Sequence, residues 1–85
     1  MFAIKYSRQA VKTRAKMPKD IAKKIDAELE SIAVSPAKYK GDWKQLQGSP
    51  FWRLCVGGWR VICEIVKEEL IIYVLKIGSR GDIYK

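Results

Sequence analysis

Arg53 and Arg60 stand on either side of the dipeptide Gly57-Gly58, and Arg80 and Tyr84 lie in the last stretch of the chain, "VLKIGSRGDIYK". A guanidinium stays protonated under physiological conditions, and its planar fork fits phosphate oxygens two at a time. Arginines gathered on a rigid surface therefore suit the holding of a phosphate and the stabilising of negative charge that builds on it. Proton transfer is harder to assign. The sequence has no histidine, which removes histidine-dependent acid–base chemistry and most transition-metal sites. Arginine itself is a poor general base. Two cysteines, Cys55 and Cys63, are too few for a zinc cluster or a disulfide framework. Neither a metal nor a cofactor is expected.

The element that must position the first two arginines is a hairpin. "FWRLCV" (51–56) and "WRVICEI" (59–65) flank Gly57-Gly58, a two-residue turn in which both glycines accept positive φ. Such a turn sets Val56 opposite Trp59, Cys55 opposite Arg60, Leu54 opposite Val61 and Arg53 opposite Ile62. Side chains alternate between faces along each strand. Trp52, Leu54, Val56, Trp59, Val61, Cys63 and Ile65 then form a core face, while Arg53, Cys55, Arg60, Ile62 and Glu64 share the other. Cys55 and Cys63 fall on opposite faces and cannot bridge, which agrees with reduced thiols. Cys55 is either a surface filler or, opposite Arg60, a thiol of lowered pKa.

The rest of the chain supplies the frame. "FAIKY" (2–6) predicts a short first strand. Ser7 offers an N-cap to a helix over "RQAVKTRAKM", with a weak apolar stripe of Ala10, Val11 and Met17. Pro18 breaks it and can enter the first turn of a second helix. In that helix Ile21, Ala22, Ile25, Leu29, Ile32 and Ala33 share one face, and Lys19, Lys23, Asp26 and Glu30 lie opposite. "VSPAKYKGDWKQLQGSP" (34–50) reads as a connector, with Trp43 and Leu46 folding back onto the core. Packing, more than ligand contact, is expected of Trp43 and Tyr39. "VKEE" turns the chain into "LIIYVLKI" (70–77), apolar on both faces and so central in the sheet. This order predicts an α+β sandwich, residues 1–85 forming one domain, with the helical hairpin on one sheet face and Arg53 and Arg60 on the other.

Composition narrows the class of partner. The 85 residues are 48% apolar, which excludes a disordered tail. The longest apolar run, "LIIYVL", is far short of the roughly 20 residues needed to span a bilayer. No signal peptide is visible, so the cytoplasm is the expected location. Seventeen Lys and Arg against nine Asp and Glu leave a net charge of +8. Attraction to a polyanion follows, whether nucleic acid, an anionic membrane or an acidic protein, against the plainer reading of a merely soluble basic surface.

Two segments carry a family resemblance. "KQLQGSPFWRLCVGGWRVICEI" (44–65) resembles the "LKG…YRLRVGDYRVIYEI" segment of the RelE/ParE superfamily of bacterial toxins from type II toxin–antitoxin pairs, and "LKIGSRGDIYK" (75–85) resembles its "VGHRRDVYR" ending. "MPKDIAKKI" fits the family's "LP" junction between helices. The resemblance implies a RelE-like fold: a first strand, a two-helix hairpin and a three-strand antiparallel meander, making a four-stranded sheet whose last strand lies inside, beside the first. It implies one of two activities. RelE-like members cut mRNA in the ribosomal A site and so inhibit translation; ParE-like members poison DNA gyrase. A third possibility is an attenuated member that chiefly binds its antitoxin.

On the nuclease reading, Gly78 turns the chain off the central strand so that Arg80 and Tyr84 project over Arg53 and Arg60. The resemblance then gives Arg60 and Arg80 the role of stabilising charge at phosphorus. It places Arg53 where a basic residue holds or deprotonates the 2′-OH, and has Tyr84 orient a nucleotide. Lys44, Lys76 and Lys85 are the accompanying RNA-binding candidates. Cys55 stands where a second basic residue is common, Gln47 replaces Lys or Arg, Ser79 replaces histidine and Gly81 another basic residue. The general base is thus unassigned. The expected partners are a small acidic or amphipathic antitoxin, with ribosome and mRNA or else DNA gyrase, and no membrane.

Overall fold

The computed structural model describes residues 1–79. Strand β1 (Ala3–Tyr6) leads into helices α1 (Arg8–Lys16) and α2 (Lys19–Val34); β2 (Trp43–Gln45), β3 (Phe51–Val56), β4 (Trp59–Val66) and β5 (Ile71–Ser79) follow. The sheet order is β1-β5-β4-β3-β2. β1 runs parallel to β5 and every other pair is antiparallel. The α+β architecture is as expected, with five strands instead of four. The additional strand is β2, inside the connector. Pairing its few residues with β3 satisfies backbone groups that a bare loop would leave to water. It also stacks Trp43 on Trp52, ring centroids 5.1 Å apart and 16° from parallel.

Local chemistry explains the helices. The Ser7 hydroxyl oxygen accepts from the Ala10 N–H (3.1 Å) and donates to the Leu75 carbonyl (2.6 Å), so one side chain caps α1 and ties it to β5. Pro18 sits immediately ahead of α2, where its missing N–H costs nothing. Ala22, Ile25, Leu29, Ile32 and Ala33 are buried against Leu54, Val61, Cys63, Ile72, Val74 and Ile77. Two expectations fail here. Val11 is 54% exposed, because α1 rests on the sheet through Ala10 and the next residue swings about 100° round the helix. Asp26 does not lie out in solvent: it accepts from Arg14 and, at 3.1 Å, from the Tyr6 hydroxyl, joining α1, α2 and β1.

The hairpin register between β3 and β4 is the one the turn dictates, with Gly57 and Gly58 at φ of 52° and 85°. On the other side of β4 the ladder contains a bulge. Ile62 pairs with Lys76 and Cys63 with Val74, so Leu75 has no opposite number. The bulge changes which residues of β5 face the core, from Ile72 and Val74 to Ile77. The Gln9 side chain follows the shift, accepting from the Ile77 N–H at 3.3 Å and donating to its carbonyl at 3.4 Å. β5 also does not end at Gly78. Pairing continues through Gly78 opposite Arg60 and Ser79 opposite Trp59, since the backbone groups there still find partners on β4. At the near end, Leu70 closes the β4–β5 turn with φ 55° and does not join the strand.

Candidate functional site

The sheet face away from the helices presents two rows of side chains running across the strands. The ladder sets Lys44 beside Arg53, Arg53 beside Ile62, and Ile62 beside Lys76. Two residue pairs along, on the same face, Cys55 lies beside Arg60 and Arg60 beside Gly78. Asp42 extends this second row past the end of β2, its carbonyl accepting from the Cys55 N–H at 3.0 Å. With strands about 4.8 Å apart, four strands carry such a row across roughly 14 Å. Lys76 reaches its row only because of the bulge at Leu75; an unbroken alternation would put Lys76 and Gly78 on the core side. Four of the expected site residues, Lys44, Arg53, Arg60 and Lys76, therefore share one open, rigid surface. Arg80, Tyr84 and Lys85 lie outside the described residues.

Among the described residues, Asp42 is the one acidic group in these two rows. Asp42 Oδ1 is 3.6 Å from an Arg53 terminal nitrogen. The Arg60 side chain is half-buried, and its Nε, wholly covered, has no hydrogen-bond partner among the described residues. The Cys55 thiol sits among Asp42, Arg53 and Arg60. Burial raises its pKa and outweighs the lowering by the two arginines. Of the two readings of Cys55, the direction of this shift favours the filler over the thiol of lowered pKa. Cys63, on the core face, is pushed up to about 12 by burial alone. Among the described residues no group of His, Cys, Asp and Glu could hold a metal ion. No described helix is long and apolar enough to cross a membrane.

The connector holds Asp42 in place. The Tyr39 hydroxyl donates to a Glu28 carboxylate oxygen on α2, and burial, with that carboxylate, raises the tyrosine pKa. The Tyr39 ring lies directly over Gly41, where a Cβ would come within 2.1 Å of the phenol oxygen. Only glycine allows this approach, which leads the backbone into Asp42 and β2. Sequence reasoning missed Asp42. A signal did exist: Asp42, Trp43 and Lys44 alternate around one large apolar residue, the mark of a short strand.

A family model for the ParE toxin of type II toxin–antitoxin systems matches residues 4–84. No curated protein matches significantly. Among solved structures, the toxin of the intact Escherichia coli RelBE toxin–antitoxin complex superposes with a TM-score of 0.82 at 17% identity, covering 95% of this chain and 99% of that one. The isolated E. coli RelE toxin gives 0.80 at 19% identity, covering 99% and 92%. A chain of the archaeal RelE–RelB complex from Pyrococcus horikoshii gives 0.81 at 24% identity, covering 95% and 97%.

Proposed function

The chain belongs to the ParE toxin family of type II toxin–antitoxin systems, within the RelE/ParE superfamily, and we propose that this toxin is a ribosome-dependent mRNA endonuclease that inhibits translation. One observation carries the reading: Arg53, Arg60, Lys44 and Lys76 converge on a single open sheet face. RNA contains its own nucleophile. The 2′-OH attacks the adjacent phosphorus and the 5′-oxygen leaves, so a protein need only align the groups, stabilise charge at phosphorus and move protons. Arg60 supplies a guanidinium on a rigid strand of this face, a planar fork that suits phosphate oxygens. Arg53, one row away, holds the neighbouring part of the backbone. Arg80 and Tyr84 complete the set by motif: the arginine adds charge at phosphorus and the tyrosine orients a base. Lys85 joins Lys44 and Lys76 as a cation along the RNA. No metal or cofactor enters the reaction.

A cognate antitoxin is the proposed regulator. RelE chains similar to this one were solved in complex with RelB. A small acidic or amphipathic segment would suit the basic surface, which belongs to a chain of net charge +8. The test of the nuclease reading is a translation mixture with ribosomes halted on a defined codon and the mRNA ends mapped by primer extension. A new end inside the A-site codon, absent without ribosomes, is expected. Intact mRNA overturns the reading. DNA gyrase poisoning is then the second reading, favoured by the family match and by a neutral Cys55 in a row where a further cation would serve a nuclease. A gyrase cleavage assay tests it, and silence in both assays leaves an attenuated, antitoxin-binding member.

A further inference from the structure

We propose that Asp42 is the general base of the site, taking the 2′-OH proton that neither arginine can accept; this rests on the nuclease reading. Asp42 is the one carboxylate in the two rows that hold Arg53 and Arg60 among the described residues. Glu64, also on this face, sits opposite Tyr73, away from the Arg60 row. The Asp42 side chain is 53% exposed, so a ribose can reach it. Its backbone is fixed at both ends, by the Cys55 N–H on one side and by the Tyr39 ring over Gly41 on the other. The ion pair with Arg53 couples two functions. The guanidinium that binds beside the scissile phosphate also holds the carboxylate at that position. The charged and titratable groups around Asp42 are Arg53 and Cys55 from β3, Arg60 beyond Cys55 on β4, and Tyr39 from the connector.

The step balances without a further reagent. The 2′-O–H proton passes to an Asp42 carboxylate oxygen as the 2′-oxygen bonds to phosphorus. The P–O5′ bond breaks, leaving a 2′,3′-cyclic phosphate. The departing 5′-oxygen takes a proton from water, and Asp42 returns its own to solvent.

The test is single-turnover cleavage of mRNA on halted ribosomes by the wild type and by Asp42→Asn and Asp42→Glu, across a range of pH, with thermal melts as folding controls. A positioned base contributes about 10²–10⁴-fold. The expected result is a loss of at least about 10² in rate for Asp42→Asn with the concentration dependence unchanged, and substantial activity for Asp42→Glu. With a base of its own, the wild-type rate should be flat between about pH 6 and 8, while the residual Asp42→Asn rate climbs about tenfold per unit as hydroxide takes over. A slow Asp42→Asn protein with the same flat profile overturns the base role and leaves only positioning of Arg53. Wild-type activity in Asp42→Asn overturns the inference and leaves the nuclease reading standing. Should Asp42→Asn fail to fold, an inactive but folded Asp42→Glu overturns the inference and an active one with a flat profile supports it. No cleavage by the wild type removes the nuclease reading, and the base with it.

Discussion

At the scale of single residues, the open face carries its two arginines on neighbouring strands, one of them in an ion pair. Arg53 is ion-paired with Asp42, and Arg60 faces the same surface from β4, beside Cys55. Arg60→Ala should therefore leave a folded protein and lower cleavage by about 10²–10³, the usual loss for one donor aimed at developing charge. Comparing growth arrest with the thermal melt of the same variant checks both halves. The two thiols make a separate statement. Burial raises the pKa of each, to about 12 for Cys63, which leaves little thiolate near neutrality. Alkylation at pH 7.5 should label Cys55 more slowly than a free thiol and Cys63 only on unfolding. Rapid labelling of the native protein would contradict the placement of either.

The elements are joined by a few polar links whose effects can be measured. Arg14 and Tyr6 both donate to Asp26, and the arginine foremost holds the Asp26 carboxyl below its ordinary pKa. Both side chains of the ion pair are about a third exposed, so its net value is modest, about 1 kcal/mol. A carboxyl lowered in the folded state adds stability above its unfolded pKa and loses it as pH falls through the folded value. Asp26→Asn should therefore be less stable than wild type at pH 7 by about 1 kcal/mol, with the gap closing below about pH 4. Denaturant melts at pH 7 and pH 3 test the sign. The β4–β5 turn offers the opposite case. Leu70 holds φ at 55° with its side chain half-exposed, a backbone region that suits asparagine better than leucine. Leu70→Asn is expected to raise stability by about 0.5–1 kcal/mol, read as a higher melting midpoint.

For the whole molecule, the net charge of +8 and the basic rows predict salt-sensitive binding to single-stranded RNA. Each phosphate that the protein ceases to neutralise should reduce the slope of log K against log salt by about 0.7. Lys44→Ala and Lys76→Ala should thus each flatten it by that amount, and together by about twice as much. An unchanged slope would remove both lysines from the RNA path. How much of this molecule was legible in advance follows the range over which each feature is decided. The Gly57-Gly58 turn acts between adjacent residues, and with the two-residue period of a strand it determined by itself that Arg53 and Arg60 share a face and that Cys55 and Cys63 do not. The helical spacing of Ile25, Leu29 and Ile32 likewise determined the buried side of α2, and Ser7 the start of α1. Tertiary structure alone decided the rest. β2 exists because β3 offers it an edge, and Asp42 reaches Arg53 only through that pairing. The bulge at Leu75 is a mismatch between two strands, without a residue type to announce it, yet it carries Lys76 onto the open face. Asp26 turns inward because Arg14 and Tyr6 arrive from other elements to meet it. Such contacts join segments far apart in the chain through backbone groups and paired charges, and these leave no periodic trace in a sequence.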